Sequence, residues 1–496
     1  MKRFSGKFCS VLALFVIIAA ASPGCRSGVP ETASGKPAPL LLISIDGLRH
    51  DYIGQFDSPA LDRMIDEGLY ADSLMQVFPT KTFAAHYSLV TGLYPGTHGV
   101  VANSMWDPQR RQFFSMRNRK AVSDGFWFQG GEPIWVTAER QGLTAATFFW
   151  PGSEAMIKRT RPTYWRSYDG RVSHTRRINQ ALDWLALPDS DRPDLITLYF
   201  SRVDSRAHRD GPAADSVFAA AAEIDRQLGR LLDALEKTGR LDETNIIVVS
   251  DHGMSAVSRQ RTIVLDGHLD LTRVRVSDWG PAAQIWATRM PAEKIVAALE
   301  DVPHLRVWAK QAIPERYHFG RHQRVPDVLA EADPGWLISS RQRMSRPDSP
   351  AGMHGWDPAL AEMHGIFIAR GPGFIPGSRS PAMASVDVYS LMARLLGLKP
   401  AKNEGRPDSF LPYLNGSGPS PAYEVRHFDC SGTRLEVRTG PEHAAVHLAP
   451  HIFVLERSGK NTFRHADLEF RMENNTAQGR LDGQTLSRCR RQYSEE

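Results

Sequence analysis

The chain has 496 residues, of which 42% are hydrophobic and 23% charged. That length excludes a single minimal domain and leaves room for one large catalytic body with a smaller companion. The formal charge is +5, but Lys2, Arg3 and Lys7 fall within an acid-free stretch of 24 residues at the start. The remainder is nearly neutral and has no electrostatic footprint for a nucleic-acid partner.

Residues 1–24 read as an export signal. Lys2, Arg3 and Lys7 form a basic head, and the apolar run Val11 to Ala21 is too short to span a bilayer. Ser22-Pro23-Gly24-Cys25 resembles a lipoprotein cleavage box, in which Cys25 would carry the lipid. Ser22 stands where a Leu-like residue is usual, so ordinary signal-peptide cleavage is the alternative. Either way the chain is expected to be exported, lipid-anchored on the periplasmic face of a bacterial membrane or secreted. Residues 25–38, rich in Ser, Gly and Pro, suit a flexible tether.

Three apolar runs then end at acidic residues. Pro39 to Ile45 stops at Asp46-Gly47, Leu195 to Phe200 stops shortly before Asp204, and Asn245 to Ser250 stops at Asp251-His252-Gly253. Short, continuous apolar runs read as strands buried on both faces. Helical patterns separate them, as in Ser216 to Glu236. The alternation predicts an α/β fold with a doubly wound, mostly parallel sheet flanked by helices. In such a sheet the C-terminal ends of the strands meet in one crevice, so Asp46, Asp204 and Asp251 are expected to share a site. His208 lies one helical turn from Asp204, and His252 is adjacent to Asp251. Carboxylates with imidazoles and no thiolates suit zinc or another borderline divalent ion. The bland reading of each Asp is a helix cap.

Between the first two runs lies Pro79-Thr80-Lys81-Thr82-Phe83. It reads as a turn leading into a short helix. A hydroxyl there is commonly a cap, but a helix N-terminus also presents free N–H groups and a positive dipole to an anion.

Ordered blocks across residues 39–413 resemble the ecto-nucleotide pyrophosphatase/phosphodiesterases of the alkaline phosphatase superfamily. They include Ile45-Asp46-Gly47, Pro79-Thr80-Lys81-Thr82-Phe83, Asn103-Ser104-Met105-Trp106-Asp107-Pro108, Phe149-Trp150-Pro151-Gly152-Ser153, Asp251-His252-Gly253-Met254 and Gly352-Met353-His354-Gly355-Trp356. The resemblance implies two Zn2+ per chain. Asp46, Asp251 and His252 would hold one, with Thr82 as its reactive ligand; Asp204, His208 and His354 would hold the other. It makes Thr82 the nucleophile of a phosphothreonine intermediate, Thr80 structural, and Asn103 the donor to the transferred phosphoryl group. Phe83, Trp150 and Tyr168 would form an aromatic slot for a nucleobase, with Lys81 beside the substrate. The implied reaction releases nucleoside 5'-monophosphates from small nucleotide substrates. Ala84-Ala85 replaces the Pro-Asn that nucleotide-preferring members often carry, so choline-phosphodiester or lysophospholipid cleavage stays open on the same scaffold. His86 and His98 read as loop-structuring residues. The Cys/Ser-x-Pro-x-Arg pattern of sulfatases is missing at Thr82 to His86, and so is the Ser-Arg pairing of alkaline phosphatases.

Residues 414–422 read as a linker. Beyond it, Arg434 to Arg438, Ala444 to Leu448 and Ile452 to Leu455 alternate as strands, predicting a small antiparallel β-barrel or sandwich over 423–496. Export makes a disulfide the default reading for Cys430 and Cys489, against two unrelated thiols. Phe428-Asp429-Cys430-Ser431-Gly432, Leu468-Glu469-Phe470 and Cys489 resemble the small inhibitors of C-type lysozyme. Their inhibitory Trp-x-Lys-Gly is here Arg471-Met472-Glu473-Asn474, which puts Glu473 in place of the lysine. Without that lysine, the resemblance implies either a lysozyme- or envelope-docking module or a purely structural appendage.

Overall fold

The computed structural model describes residues 36–492 except 348, 420, 421 and 474. The export signal, Cys25 and the tether as far as residue 35 lie outside the described residues. No helix among those described is long and apolar enough to cross a membrane.

The central sheet is built from β1 (Leu40–Ile45), β2 (Gly68–Met75), β3 (Ala145–Phe148), β4 (Tyr164–Arg166), β5 (Leu195–Phe200), β6 (Asn245–Val249), β7 (Gly365–Arg370) and β8 (Ser378–Ser380). Their order is β8-β2-β7-β6-β1-β5-β3-β4, with Met383–Ala384 also pairing to β2. β1 lies parallel between β5 and β6, whereas β7 runs antiparallel to both its neighbours. Successive residues of β1 feed different cores. Leu40 and Leu42 pack on one face with Ile247 and Val249, while Leu41, Ile43 and Ile45 pack on the other with Ile196, Leu198 and Val248. A strand buried on both faces needs an apolar side chain at every position, which is why the run reads as continuous rather than alternating.

Helices cover both faces. α1 (Pro59–Asp66), α4 (His174–Leu185), α5 (Arg202–Asp210) and α6 (Asp215–Lys237) supply one core. α2 (Thr82–Thr91), α3 (Ile134–Arg140) and α7 (Val388–Leu395) supply the other. All ten residues of α2 are buried, so this helix is core on every side. A four-stranded antiparallel sheet, ordered Val274–Asp278, Ala282–Ala287, Val328–Ala332, Leu305–Ala309, has its own core around Ile285, Ile295 and Val328.

The C-terminal strands, from Glu424–Cys430 to Gln484–Gln492, form a closed eight-stranded antiparallel barrel. Closure comes from pairing of the first strand with the last, His427 opposite Gln492, which leaves no free edge. In Leu468–Met472 the odd–even alternation is plain: Leu468, Phe470 and Met472 are buried, Glu469 and Arg471 exposed. Cys430 and Cys489 form a disulfide. The expected linker is tied down at its start, where Ile375 N donates to Tyr413 O and Asn415 N to Gly373 O, 3.0 Å each.

The disulfide closes a loop with a sequence separation of 59. Cys430→Ser is expected to lower barrel stability by about 4 kcal/mol on the loop-entropy estimate. Urea unfolding followed by limited proteolysis would read this; an unmoved barrel midpoint would contradict it.

Candidate metal and nucleophile site

Strand register builds the site. Ile45 lies opposite Phe200 and Ser44 opposite Val249, so β1, β5 and β6 end at one level. Asp46 N donates to Phe200 O at 2.9 Å and Asp204 N to Asp46 O at 3.0 Å. Gly47 has φ +73°, and a Cβ there would lie 2.9 Å from the Asp204 Cα. Glycine is what lets the β1 exit close onto the start of α5. Two groups of ligand atoms result, Asp46–Asp251–His252 and Asp204–His252–His354. His208 joins the second, its Nε2 3.1 Å from Asp204 Oδ1. His252 stands between the groups, with its ring stacked on that of His354 at a centroid distance of 3.4 Å. All seven residues expected from the sequence to surround the metals, Thr82 included, therefore converge.

Hydrogen bonding fixes which imidazole nitrogen faces inward. His208 Nδ1 contacts Gly352 O at 2.8 Å, His252 Nδ1 contacts Gly253 O at 2.9 Å, and His354 Nδ1 contacts Thr80 O at 2.7 Å. A carbonyl only accepts, so each Nδ1 must donate, and in the neutral ring Nε2 is left as a lone pair. Those lone pairs point at other acceptors. His252 Nε2 lies 3.3 Å from Asp46 Oδ1 and 3.1 Å from Asp251 Oδ2. Asp46 Oδ1, Asp204 Oδ1 and Asp251 Oδ2 are buried and accept no hydrogen bond from the described residues. Acceptor facing acceptor is repulsive unless a cation sits between them, and the donor set suits a divalent one. Burial, with Asp251 and Asp204 nearby, pushes the Asp46 carboxyl well above the usual carboxylate range. Burial, then His252 and His208, keep His354 well below the normal imidazole range, hence neutral and able to ligate.

Thr82 opens α2, and its Oγ1 is 3.4 Å from His252 Nε2. Thr80 does different work: its hydroxyl accepts from Gly355 N at 2.9 Å and donates to Trp356 O at 3.1 Å. Asn103 Oδ1 accepts the Phe83 N–H at 2.8 Å. That bond settles the amide orientation, with Oδ1 turned to the start of α2 and the two hydrogens on Nδ2.

The residues expected to meet substrate are placed less uniformly. Lys81 is buried, with its ammonium 3.3 Å from Asp278 Oδ2. Phe83 is 8% exposed and packs edge-on against Phe114. Tyr168 is 36% exposed and leans on Phe149. Trp150 is 1% exposed, and its indole N–H donates to His86 O at 3.3 Å. It packs behind α2, buried, whereas Phe83 and Tyr168 keep some exposure.

Two supporting residues escaped the sequence reading. Tyr199 OH donates to Asp46 Oδ2 from within β5. His86, read from sequence as loop-structuring, sits inside α2. It lies 3.2 Å from Asp251 Oδ2 through Nδ1, which is also 2.8 Å from Thr82 O, and its Nε2 meets Ser44 Oγ at 2.8 Å. The signal for His86 was its i, i+4 spacing from Thr82, which puts both on one helical face. The signal for Tyr199 was a phenol hydroxyl one residue before the end of a mostly apolar strand.

The chain is similar to several known proteins. A family model described as type I phosphodiesterase / nucleotide pyrophosphatase matches residues 40–357. The bovine bis(5'-adenosyl)-triphosphatase ENPP4 is 36% identical over 399 residues, covering 79% of this chain and 85% of its own. Murine ectonucleotide pyrophosphatase/phosphodiesterase family member 1 is 35% identical over 418 residues, 81% of this chain and 45% of its own. The chain thus spans about half the length of that relative and of its human counterpart, where the share is 44%. The solved structure of murine ENPP5, an inactive threonine-to-alanine variant in complex with AMP, has a TM-score of 0.73 at 34% identity and covers 76% of this chain and 100% of that one. With the same alkaline-phosphatase-like α/β core as that neighbour and a family match over most of its length, the chain belongs to the type I phosphodiesterase / nucleotide pyrophosphatase family.

Proposed function

We propose that the chain hydrolyses phosphodiester and pyrophosphate bonds of small nucleotides and releases nucleoside 5'-monophosphates, using two zinc ions and Thr82 as nucleophile. One observation carries the reading: the Thr82 hydroxyl opens a helix at the meeting point of two carboxylate–imidazole groups, 3.4 Å from the shared His252. The names of the bovine triphosphatase and the AMP-bound murine neighbour support the substrate class.

Asp46, Asp251 and His252 would hold one ion, and Asp204, His208 and His354 the other. When bound, such ions neutralise phosphoryl charge and lower the pKa of oxygen ligands. Thr82 Oγ1, deprotonated, forms a bond to phosphorus while the bond to the leaving oxygen breaks. The first turn of α2 presents its positive dipole end to the phosphoryl group. Asn103, held by the Phe83 N–H, offers its Nδ2 hydrogens to a non-bridging oxygen. Water then cleaves the Thr82–phosphorus ester, which frees the monophosphate and restores the hydroxyl.

Met116, whose N–H donates to Asn103 O at 2.9 Å, is 40% exposed, and Phe113 nearby is 47% exposed. Apolar surface beside Asn103 favours a second reading, a choline-phosphodiester or lysophospholipid substrate. Initial rates on nucleotide diesters, bis-nucleotides, glycerophosphocholine and lysophospholipids decide between them. Highest kcat/KM on the nucleotides is expected.

Thr82→Ala is expected to lose roughly 10³-fold or more in turnover of p-nitrophenyl-TMP while keeping nearly its full zinc content. Full turnover in that variant would overturn the nucleophile assignment. Asn103→Ala should lower kcat by about 10²–10³, and an unchanged kcat would remove Asn103 from transition-state stabilisation. Tyr199→Phe, which strips a donor from Asp46, should weaken zinc affinity about tenfold. A chelator-buffered titration reads this, and equal affinity would reduce Tyr199 to a packing residue.

A further inference from the structure

The segment from His354 to His364 has two working sides. Its inner side serves the site. His354 leans on Thr80 O, Gly355 N donates to Thr80 Oγ1, and Met363 O accepts the Gly253 N–H at 3.0 Å, directly after His252. A Cβ at Gly253 would fall 2.1 Å from Glu362 O, so this approach is open only to glycine.

Its outer side meets the C-terminal barrel. Ile452 N donates to Ala359 O at 2.7 Å, and Ala361 N donates to Pro450 O at 3.0 Å. Asp357, fully buried, takes a two-pronged bond from Arg316, with Nη1 to Oδ1 at 2.7 Å and Nη2 to Oδ2 at 2.5 Å. The same Nη2 reaches Asp482 Oδ1 at 3.0 Å, from the turn before the last barrel strand. Arg316 is 6% exposed at its side chain, whereas Asp482 is 37% exposed. One buried guanidinium thus joins the barrel to the residue three positions after His354.

We propose that the barrel is a brace for the metal centre, with Asp482 as a positioning residue that acts through Arg316 and Asp357 on His354. The Pro450–Ile452 backbone is a second strut, acting through Ala359 and Ala361 on the loop that carries His252. Ligands bind a metal tightly when their supporting shell already holds them in place. Here that shell continues into a separate domain, so weakening the dock loosens the ligands. The proposal rests on His252 and His354 being metal ligands.

The test uses the full chain and zinc itself as probe. Asp482→Arg sets a like charge against Arg316. Glu469→Arg is the control, reversing an exposed barrel carboxylate that pairs with Arg464. Zinc occupancy after dialysis against chelator buffers is expected to need about tenfold more free zinc in D482R, with parental behaviour in E469R and recovery in D482E. At limiting zinc, D482R should lose kcat with KM unchanged, and excess zinc should restore it. A D482R chain that binds zinc as tightly as the parent, whatever its melting temperature, would overturn the brace. A parent chain that binds no zinc would overturn the ligand assignment and the brace with it.

Discussion

Three histidines give their Nδ1 hydrogens to main-chain carbonyls and, as neutral rings, turn Nε2 lone pairs toward three carboxylates. Every group at the centre is then an acceptor. Such an arrangement opposes folding unless positive charge fills it, because buried acceptors without donors are costly. The rest of the site follows from that constraint. Tyr199 and His86 stand behind Asp46 and Asp251 to limit their mutual repulsion, and Gly47 brings the two chain segments close enough to share the charge.

The fold supplies the convergence cheaply. Parallel strands in register end at one edge, so residues more than 200 positions apart arrive together without long connecting loops. α2 then brings Thr82, the proposed nucleophile, to the same edge as a helix start whose residues are all buried. Rigidity of this kind suits a reaction in which the protein's main contribution is holding charge and an attacking oxygen in place. The barrel extends the same logic outward, since it touches the segment that holds the last histidine rather than the site itself.

Much of this was legible in the sequence where burial leaves a simple pattern. β5 occupies the whole of its apolar run, and β1 and β6 differ from theirs by one residue at an end. The barrel followed from alternation, because one face of each strand is wet. β7 was missed: its run Gly365–Arg370 pairs antiparallel between two strands, and nothing in a short apolar stretch encodes direction. The four-stranded sheet over 274–332 was missed because its strands are short and widely separated in sequence. Asp46, Asp204 and Asp251 could be found from strand ends, whereas His354 follows no strand of the central sheet and was reached only through family resemblance. For Trp150, an aromatic residue in a matching motif, the sequence did not reveal how deeply the ring is buried.

The central claim is that the acceptor cluster holds two divalent cations in two linked groups. Native mass spectrometry of the full chain, loaded with zinc and exchanged into volatile buffer, tests it most directly. Two zinc ions per chain are predicted, with one remaining in Asp46→Asn and one in Asp204→Asn. A folded chain that carries no zinc, or carries two in both variants, would contradict it.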